Sequence, residues 1–316
     1  MKRCPGCKSL MPDDVHKCIR CGFDSTPAAV PPAPNRGRIG NGWALAKQSF
    51  RVLLHNKRLL VFPLLSGLAV LLVIASFAGG AWATGLLRNP EDTSEATVCI
   101  VGFAWYFANY FVIVFFNCAL VSCALESFRG GEVTLGGGLR AAGKRLPHIV
   151  AWALLAASVG MVLRAIEERV ALVGKIVIAL IGVAWTLATY FVVPVLVFED
   201  LGPLDAAKRS AAILKKTWGE TIVGNAGIGL VTFFVTLAAL AVTVFAFGAL
   251  ALKLGSLAVA ITGAALVAAI ILLSSLIGSA LNSIALCALY VFATEGRVPQ
   301  AFAGAGLEHA FAARRK

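Results

Sequence analysis

Long uncharged hydrophobic runs alternate with short polar segments along most of the chain. Three of the runs, at residues 59–87, 96–125 and 221–252, contain 29, 30 and 32 residues without a charge. A helix of about 20 apolar residues crosses the roughly 30 Å of hydrocarbon in a bilayer, so each run is long enough to span one. The pattern predicts six spans, at residues 59–84, 97–125, 147–166, 171–198, 221–250 and 257–290.

The last span lies in a stretch of 41 uncharged residues, 254–294, which leaves two arrangements open. The stretch could form one long helix or a tight hairpin of two helices. No Pro and no polar turn cluster interrupts it, which favours one helix, although Ser274, Ser275 and Gly278 would permit a turn.

Composition supports the same class of protein. Hydrophobic residues make up 59% of the 316-residue chain and charged residues 14%, whereas soluble globular domains contain about 45–50% and about 25%. A soluble single-core protein cannot bury so much apolar surface, and this balance also excludes a coiled coil, a secreted disulfide scaffold and a disordered chain. We therefore predict an all-α polytopic membrane protein with about six transmembrane helices.

The formal net charge of +12 could indicate a nucleic-acid partner, but the distribution of the charges offers a simpler explanation. If the amino terminus is cytoplasmic and the chain crosses six times, 23 of the 28 Lys and Arg residues fall on the cytoplasmic side. That asymmetry is the positive-inside pattern of multi-pass membrane proteins. The first residues also lack the apolar core of a cleavable signal peptide. We expect a multi-pass protein of the cell membrane with both termini cytoplasmic, the lipid bilayer as a partner and no nucleic-acid partner.

A basic amphipathic stretch precedes a pair of spans three times. In the first stretch, Trp43, Phe50 and Leu54 recur at helical spacing, and we place Lys47 and Arg51 on the opposite face. This pattern predicts cytoplasmic interfacial helices whose cations face anionic headgroups, while solvated turns whose charges only fix topology are the alternative. The residues predicted to contact headgroups are Lys47, Arg51, Arg140, Lys144, Lys208 and Lys215.

Four of the eight cysteines form a paired array near the amino terminus. Cys4 and Cys7 make one C-x2-C pair, and Cys18 and Cys21 make a second after a ten-residue gap. Such spacing lets each pair present two thiolates to one tetrahedral Zn²⁺, and a module this short cannot fold around a core of its own. A redox dithiol or two disulfides are the rivals, but a cytoplasmic location opposes persistent disulfides and no thioredoxin-like pattern accompanies the pairs.

The array predicts a small β-hairpin zinc ribbon with one structural Zn²⁺ held by Cys4, Cys7, Cys18 and Cys21. Pro27, Pro31, Pro32 and Pro34 mark the segment that follows as a spacer. The predicted domains are the zinc ribbon at 1–25, a Pro/Ala-rich linker at 26–40, the six-span membrane domain at 41–300 and a basic cytoplasmic tail at 301–316.

The predicted membrane domain shows no pattern of an enzyme or an ion-driven pump. No ionisable residue is predicted at mid-membrane depth, where transporters commonly keep one. No Ser-His-Asp, HExxH or paired-carboxylate arrangement occurs, and the glycines at 136–138 lack the Lys-Ser/Thr of a P-loop. We therefore predict that the protein is not an enzyme.

Several short motifs along the chain resemble a family of uncharacterised six-span prokaryotic membrane proteins. The motifs occur at residues 60–67, 198–204, 208–210, 216–220 and 293–296. A more distant similarity is to the membrane domain of some glycerophosphodiester phosphodiesterases, whose catalytic domain has no counterpart here, so the resemblance implies no activity. The first 25 residues resemble small prokaryotic zinc-ribbon modules, with the four cysteines at the ligand positions and Lys8 where Gly is common.

The leading hypothesis is an integral membrane protein of unknown molecular activity whose cytoplasmic zinc ribbon is an interaction or regulatory module for a protein partner. The alternatives are a transporter or lipid-handling protein and a membrane partner of a separately encoded phospholipid hydrolase.

The charge distribution makes topology testable. We expect an alkaline-phosphatase fusion after Lys316 to be inactive, because that end is predicted to be cytoplasmic, and a matched fusion after Glu95 to be active, because Glu95 is predicted to lie outside. Enzyme activity on intact cells is the measurement. An active fusion after Lys316 would contradict the predicted orientation.

Overall fold

The computed structural model describes residues 2–3, 10–11, 37–86, 93–296 and 298–302, with the backbone alone for 2–3, 10–11, 37–42, 216–228, 230 and 231. Helices account for most of this part of the chain. Their bounds are α1 Gly37–His55, α2 Val61–Ala83, α3 Glu95–Phe128, α4 Leu135–Lys144, α5 Leu146–Glu167, α6 Leu172–Ala188, α7 Val192–Phe198, α8 Pro203–Leu254 and α9 Leu257–Glu295. Short 3-10 turns lie at Lys57–Leu60 and Gln300–Phe302.

Six helical segments in the described residues are long and apolar enough to cross a membrane. They are Lys57–Ala83, Glu95–Phe128, Leu146–Glu167, Leu172–Phe198, Thr232–Leu254 and Leu257–Glu295. The prediction of about six membrane helices is confirmed. Gly255, in the left-handed conformation (φ 58°), ends α8, and α9 then runs from Leu257 to Glu295 without a break. The segment 254–294 therefore contains one long helix, the arrangement that the sequence favoured, and no hairpin.

The fourth predicted span, 171–198, is interrupted after residue 188, between α6 and α7. Pro194 cannot donate a backbone hydrogen bond, and the helix breaks between α6 and α7 just before it. The N–H of Phe191 in this break donates to Oγ of Ser210 on α8 at 2.9 Å, and both residues are fully buried. The hydroxyl of Ser210 therefore satisfies a backbone donor that would otherwise be costly to bury.

The three predicted basic helices do not form three equivalent elements. α1 and α4 are separate from the spans that follow, and Pro63 and Pro147 lie in the first turns of those spans, where a helix tolerates proline. The third basic stretch is instead the first part of α8, which runs for 52 residues from Pro203. No proline follows Pro203 within α8, so nothing separates the basic stretch from its span, and the expectation of a separate third interfacial helix is wrong.

The buried core lies at one end of the bundle, which we call the packed end. There the ends of α3 and α9, the start of α5 and all of α7 pack together beneath α1 and α4. Phe302 extends this core two residues past the predicted domain boundary, since its ring packs edge-on against Phe128 with ring centroids 5.4 Å apart. The helix α1 likewise begins at Gly37, within the segment predicted as linker.

The opposite ends of the helices, which we call the far end, expose apolar side chains. α6 has no buried residue, and in the hairpin of α8 and α9 Phe245 is 80% exposed and Leu252 is 87% exposed. Water would make such a surface costly, whereas hydrocarbon would not. The distribution is that of helices whose outer halves face lipid.

The helix α4 approaches the bundle most closely at Gly138. A Cβ atom at this position would lie 2.6 Å from Sγ of Cys123, 2.7 Å from Cζ of Phe62 and 2.9 Å from the carbonyl oxygen of Ala119. Because one of the three neighbours is backbone, a side chain here must displace α4 from α3. At Gly143, on the same helix, an added Cβ atom would meet no neighbour within 4 Å.

We expect Gly138→Ala to destabilise the protein by about 1–3 kcal/mol, since the added methyl group overpacks the contact between α3 and α4. The matched control Gly143→Ala should be neutral or slightly stabilising, because alanine favours the helix and meets no neighbour. Thermal unfolding in detergent measures both. Equal midpoints for the two variants would contradict the close approach at Gly138.

Candidate functional site

The clearest polar cluster joins three helices at the packed end. Glu199 lies directly after α7, where the chain becomes extended before Pro203 starts α8. Nε of Arg209 on α8 lies 2.9 Å from each carboxylate oxygen of Glu199. The hydroxyl of Tyr290 on α9 donates to Oε1 of Glu199 at 2.8 Å. One carboxylate thus fixes the relative positions of α7, α8 and α9.

The next residue ties the same connection to α5. Nη1 of Arg145, at the junction of α4 and α5, donates to Oδ1 of Asp200. Nε2 of His148 lies 3.4 Å from the same oxygen. Asp200 is 75% exposed at its side chain, while Arg145 is 27% exposed. The acidic pair therefore bridges the two halves of the bundle at the water-facing edge of the packed end.

A second set of contacts links the connection after α1 to the end of α3 and to the connection after α3. Nδ2 of Asn56 donates to Oγ of Ser127 at 2.8 Å, and Nη1 of Arg58 donates to the carbonyl oxygen of Val133 at 3.0 Å. These bonds hold the start of α2 beside the segment that leads into α4. The polar contacts described here are thus made in the connections and near the ends of the spans.

The carboxylates of Glu199 and Asp200 hold helices together. Glu199 and Asp200 each contact a guanidinium group, and each has one further polar partner, Tyr290 for Glu199 and His148 for Asp200. Within the part of the chain that the structure describes, no group of three or more His, Cys, Asp or Glu side chains could hold a metal ion. The geometry is that of side chains that join helices, and the described residues contain no metal centre.

All six residues predicted to contact headgroups are exposed: Lys47, Arg51, Arg140, Lys144, Lys208 and Lys215. They lie on α1, α4 and the first part of α8, around the packed end. Of the six, Lys208 has an ion pair, 3.3 Å from Asp205 on its own helix. Their contact with lipid stays a prediction, and their exposure leaves them available for it.

The faces of α1 are arranged differently from the prediction. Trp43 and Leu54 are exposed at 56% and 54%, and helical spacing places them on the same side as Lys47 and Arg51 rather than opposite. The buried face of α1 instead contains Leu45, Val52 and Leu53. The first part of α8 uses its apolar face in the same way, since Ile213 is 3% exposed. The apolar residues of α1 named in the prediction are therefore exposed beside the cations, while a different apolar face of each helix is part of the protein core.

The four cysteines predicted to bind zinc, Cys4, Cys7, Cys18 and Cys21, lie outside the described residues. Two short strands are described beside the first pair: β1, Lys2–Arg3, pairs antiparallel with β2, Leu10–Met11, with Arg3 opposite Leu10. The zinc ligands stay a prediction.

A polar groove lies between α8 and α9 in the membrane region. It has a volume of about 510 Å³ and includes Thr232, Thr236, Ser275 and Asn282. Oδ1 of Asn282 is buried without a hydrogen-bond partner. In the sequence Asn282 is a polar residue within the uncharged stretch 254–294, and only the packing of α8 against α9 places it beside the two threonines.

These features define a multi-pass helical membrane protein whose spans meet at one packed end. A model of the Family of unknown function (DUF6159) matches residues 96–300, and the chain belongs to that family. No curated protein matches the chain. The predicted membership of an uncharacterised family is confirmed, whereas the likeness to phosphodiesterase membrane domains and to zinc ribbons stays a prediction.

We expect Glu199→Gln and Tyr290→Phe each to lower the free energy of unfolding by about 1 kcal/mol, a modest effect because Arg209 is partly exposed to solvent. The double variant should cost less than the two single effects added, since Tyr290→Phe removes the hydrogen bond that Glu199→Gln weakens by removing the charge of its acceptor. Unfolding midpoints in detergent measure this coupling. Glu126→Gln, an exposed glutamate at the end of α3, is the control, and strict additivity would contradict the shared contact.

Proposed function

We propose that the protein is a non-enzymatic membrane protein that presents a cytoplasmic interaction module from the packed end of its bundle. In this proposal Cys4, Cys7, Cys18 and Cys21 hold one structural Zn²⁺ in a ribbon that binds a cytoplasmic protein. The basic residues around the packed end contact the anionic headgroup layer of the cytoplasmic leaflet. The membrane domain then acts as an anchor and a platform.

The observation that carries this proposal is the position of charge along the spans. In the six spans identified among the described residues, every Asp, Glu, Lys and Arg lies within four residues of an end of its span. A pathway that couples transport to ions or protons commonly needs such groups at mid-depth. The arrangement favours an anchor over an ion-coupled transporter.

The exposed stripe of α1 supports the headgroup contact. Trp43, Phe50 and Leu54 alternate there with Lys47 and Arg51. Aromatic and aliphatic side chains mixed with long cations suit the interface, where rings sit at headgroup level and cations reach the phosphates. Each cation near an anionic surface contributes about 1 kcal/mol before screening.

Two observations support the zinc module. The C-x2-C pairs have the spacing of structural sites. The antiparallel strands β1 and β2 also flank the chain segment that contains Cys4 and Cys7, as expected when a hairpin presents a metal-binding pair.

A transporter or lipid-handling protein is the second candidate. The polar groove between α8 and α9 favours it, because Thr232, Thr236 and Asn282 would offer hydrogen bonds to a neutral solute within the membrane. Flux of neutral solutes through liposomes that contain the purified protein separates the two candidates. The anchor predicts no flux above that of empty liposomes.

The zinc module gives a direct measurement. We expect one zinc ion per purified full-length chain and none after Cys4, Cys7, Cys18 and Cys21 are all changed to Ser, because thiolates are the ligands. Cys99→Ser, which changes an exposed cysteine of α3, is the matched control and should retain the metal. Elemental analysis reports the content. Equal zinc in the fourfold variant and the control would defeat the assignment.

A further inference from the structure

The far end of the bundle contains a charged cavity between α3, α5 and α6. Its volume is about 610 Å³, within the range of small-molecule sites. Tyr106, Arg164, Glu167, Glu168 and Lys175 line it. None of these residues belongs to the cluster at the packed end.

One of the charged groups in this cavity is held in place. Nη1 of Arg164 lies 3.0 Å from the hydroxyl of Tyr106, and Nε donates to Oε1 of Glu168 at 3.1 Å. A guanidinium group has five N–H donors, so most of those on Arg164 stay available to a ligand. Its position is fixed by two partners before any ligand binds.

Apart from the pair formed by Arg164 and Glu168, the two remaining charged groups have no partner among the described residues. Neither the carboxylate of Glu167 nor the ammonium of Lys175 makes a hydrogen bond or ion pair there, although both line the same cavity. The cavity thus presents one unpaired anion and one unpaired cation beside a fixed guanidinium. With Glu168 included, two cations and two anions line it, so the described lining has no net charge.

The polarity of the cavity changes along the helices. Glu167 and Lys175 lie at the end of α5 and near the start of α6, at the water-facing edge of the far end. Gly160 and Gly182 line it further into the spans, where Ile178 and Leu163 provide apolar walls. A ligand with a charged head and an apolar tail matches both parts.

We propose that this cavity binds the headgroup of a zwitterionic phospholipid that contains a primary amine, as in phosphatidylethanolamine. Arg164 and Lys175 contact the phosphate, Glu167 accepts hydrogen bonds from the ammonium, and an acyl chain follows the groove past Gly160 and Gly182. A net neutral lining does not favour an anionic lipid. A quaternary ammonium cannot donate to Glu167, and Tyr106 is the only aromatic side chain among the described residues of the lining, too few for an aromatic cage.

Native mass spectrometry of the delipidated full-length protein tests the proposal. With equal amounts of phosphatidylethanolamine, phosphatidylcholine and phosphatidylglycerol, we expect phosphatidylethanolamine to be retained most. Glu167→Gln should lower its retention by roughly two- to fivefold, the range of one exposed charge interaction. Equal retention of the three lipids by the unaltered protein, or an unchanged preference in Glu167→Gln, would overturn the proposal.

Steric variants provide a second and independent measurement. Gly182→Leu should fill the groove and lower retention, because no atom lies within 4 Å of a Cβ atom at this position. Gly102→Leu, at an equally open position of α3, is the matched control and should retain the lipid. Unfolding midpoints establish that each variant is folded, and Glu167→Gln decides the matter if Gly182→Leu does not fold. Full retention by a folded Gly182→Leu protein would overturn the location of the site.

Competition with free phosphoethanolamine separates two sources of the same headgroup chemistry. A lipid site predicts that the free compound displaces phosphatidylethanolamine poorly, since it lacks the acyl chain. Displacement at concentrations similar to the lipid would support a site for a soluble zwitterion with the same contacts. Failure of both compounds to bind would overturn the proposal, and it would leave the zinc module and the platform role unaffected.

Discussion

The cost of placing a charge in hydrocarbon determines where this protein makes its strong polar contacts. The bonds from Glu199 to Arg209 and Tyr290 join α7, α8 and α9 near the ends of the spans. Asp200 then links the same connection to Arg145 at the start of α5. Because the helices are held at their connections, the spans themselves can remain apolar.

This constraint also explains the unequal burial of the helices. At the packed end α7 is short and its residues Val192, Val195 and Leu196 are buried. At the far end α8 and α9 form a long hairpin that packs mainly against itself, with Phe245 and Leu252 exposed. A surface of that kind is stable in a bilayer because lipid tails are as apolar as the side chains. The lipid therefore completes the packing that the protein leaves open.

The two ends of the bundle differ in charge and therefore suit different ligands. The packed end carries exposed cations on α1, α4 and α8, which favour an anionic surface. The cavity at the far end balances Arg164 and Lys175 against Glu167 and Glu168, which favours a neutral headgroup. Both surfaces lie near the ends of the spans rather than at their middle, as the proposed anchor and platform role requires.

The positions of the spans could be predicted from sequence because hydrophobic length is a local property. The predicted 59–84 and the observed Lys57–Ala83 differ by at most two residues at each end. The use of the amphipathic faces could not be predicted, because a face that suits lipid also suits a protein core, and Leu53 and Ile213 lie in the core. The motif that contains Glu199 was visible, but its contact with Tyr290 joins residues 91 positions apart and depends on the packing of three helices.

The cavity at the far end also depends on packing that the sequence does not reveal. In the sequence, Arg164, Glu167 and Glu168 lie at or just after the end of the third predicted span, and Lys175 lies near the start of the fourth. They come together with Tyr106 only because α3 packs against α5. The periodicity of the sequence does not show which helices pack against each other. The role of Gly138 was equally hidden, since the sequence alone does not distinguish it from Gly136 or Gly143.

We infer that the exposed far halves of the helices lie in lipid while the packed end is a protein core. Spin labels at Leu180, Phe245 and Leu272, which are 63%, 80% and 56% exposed, test it most directly in the reconstituted protein, with a label at the exposed Glu132, between α3 and α4, as the aqueous reference. We expect frequent collisions with oxygen and few with a water-soluble nickel reagent at the three apolar positions, and the reverse at Glu132. Frequent collisions with the nickel reagent at all three apolar positions would contradict the placement of the far halves in lipid.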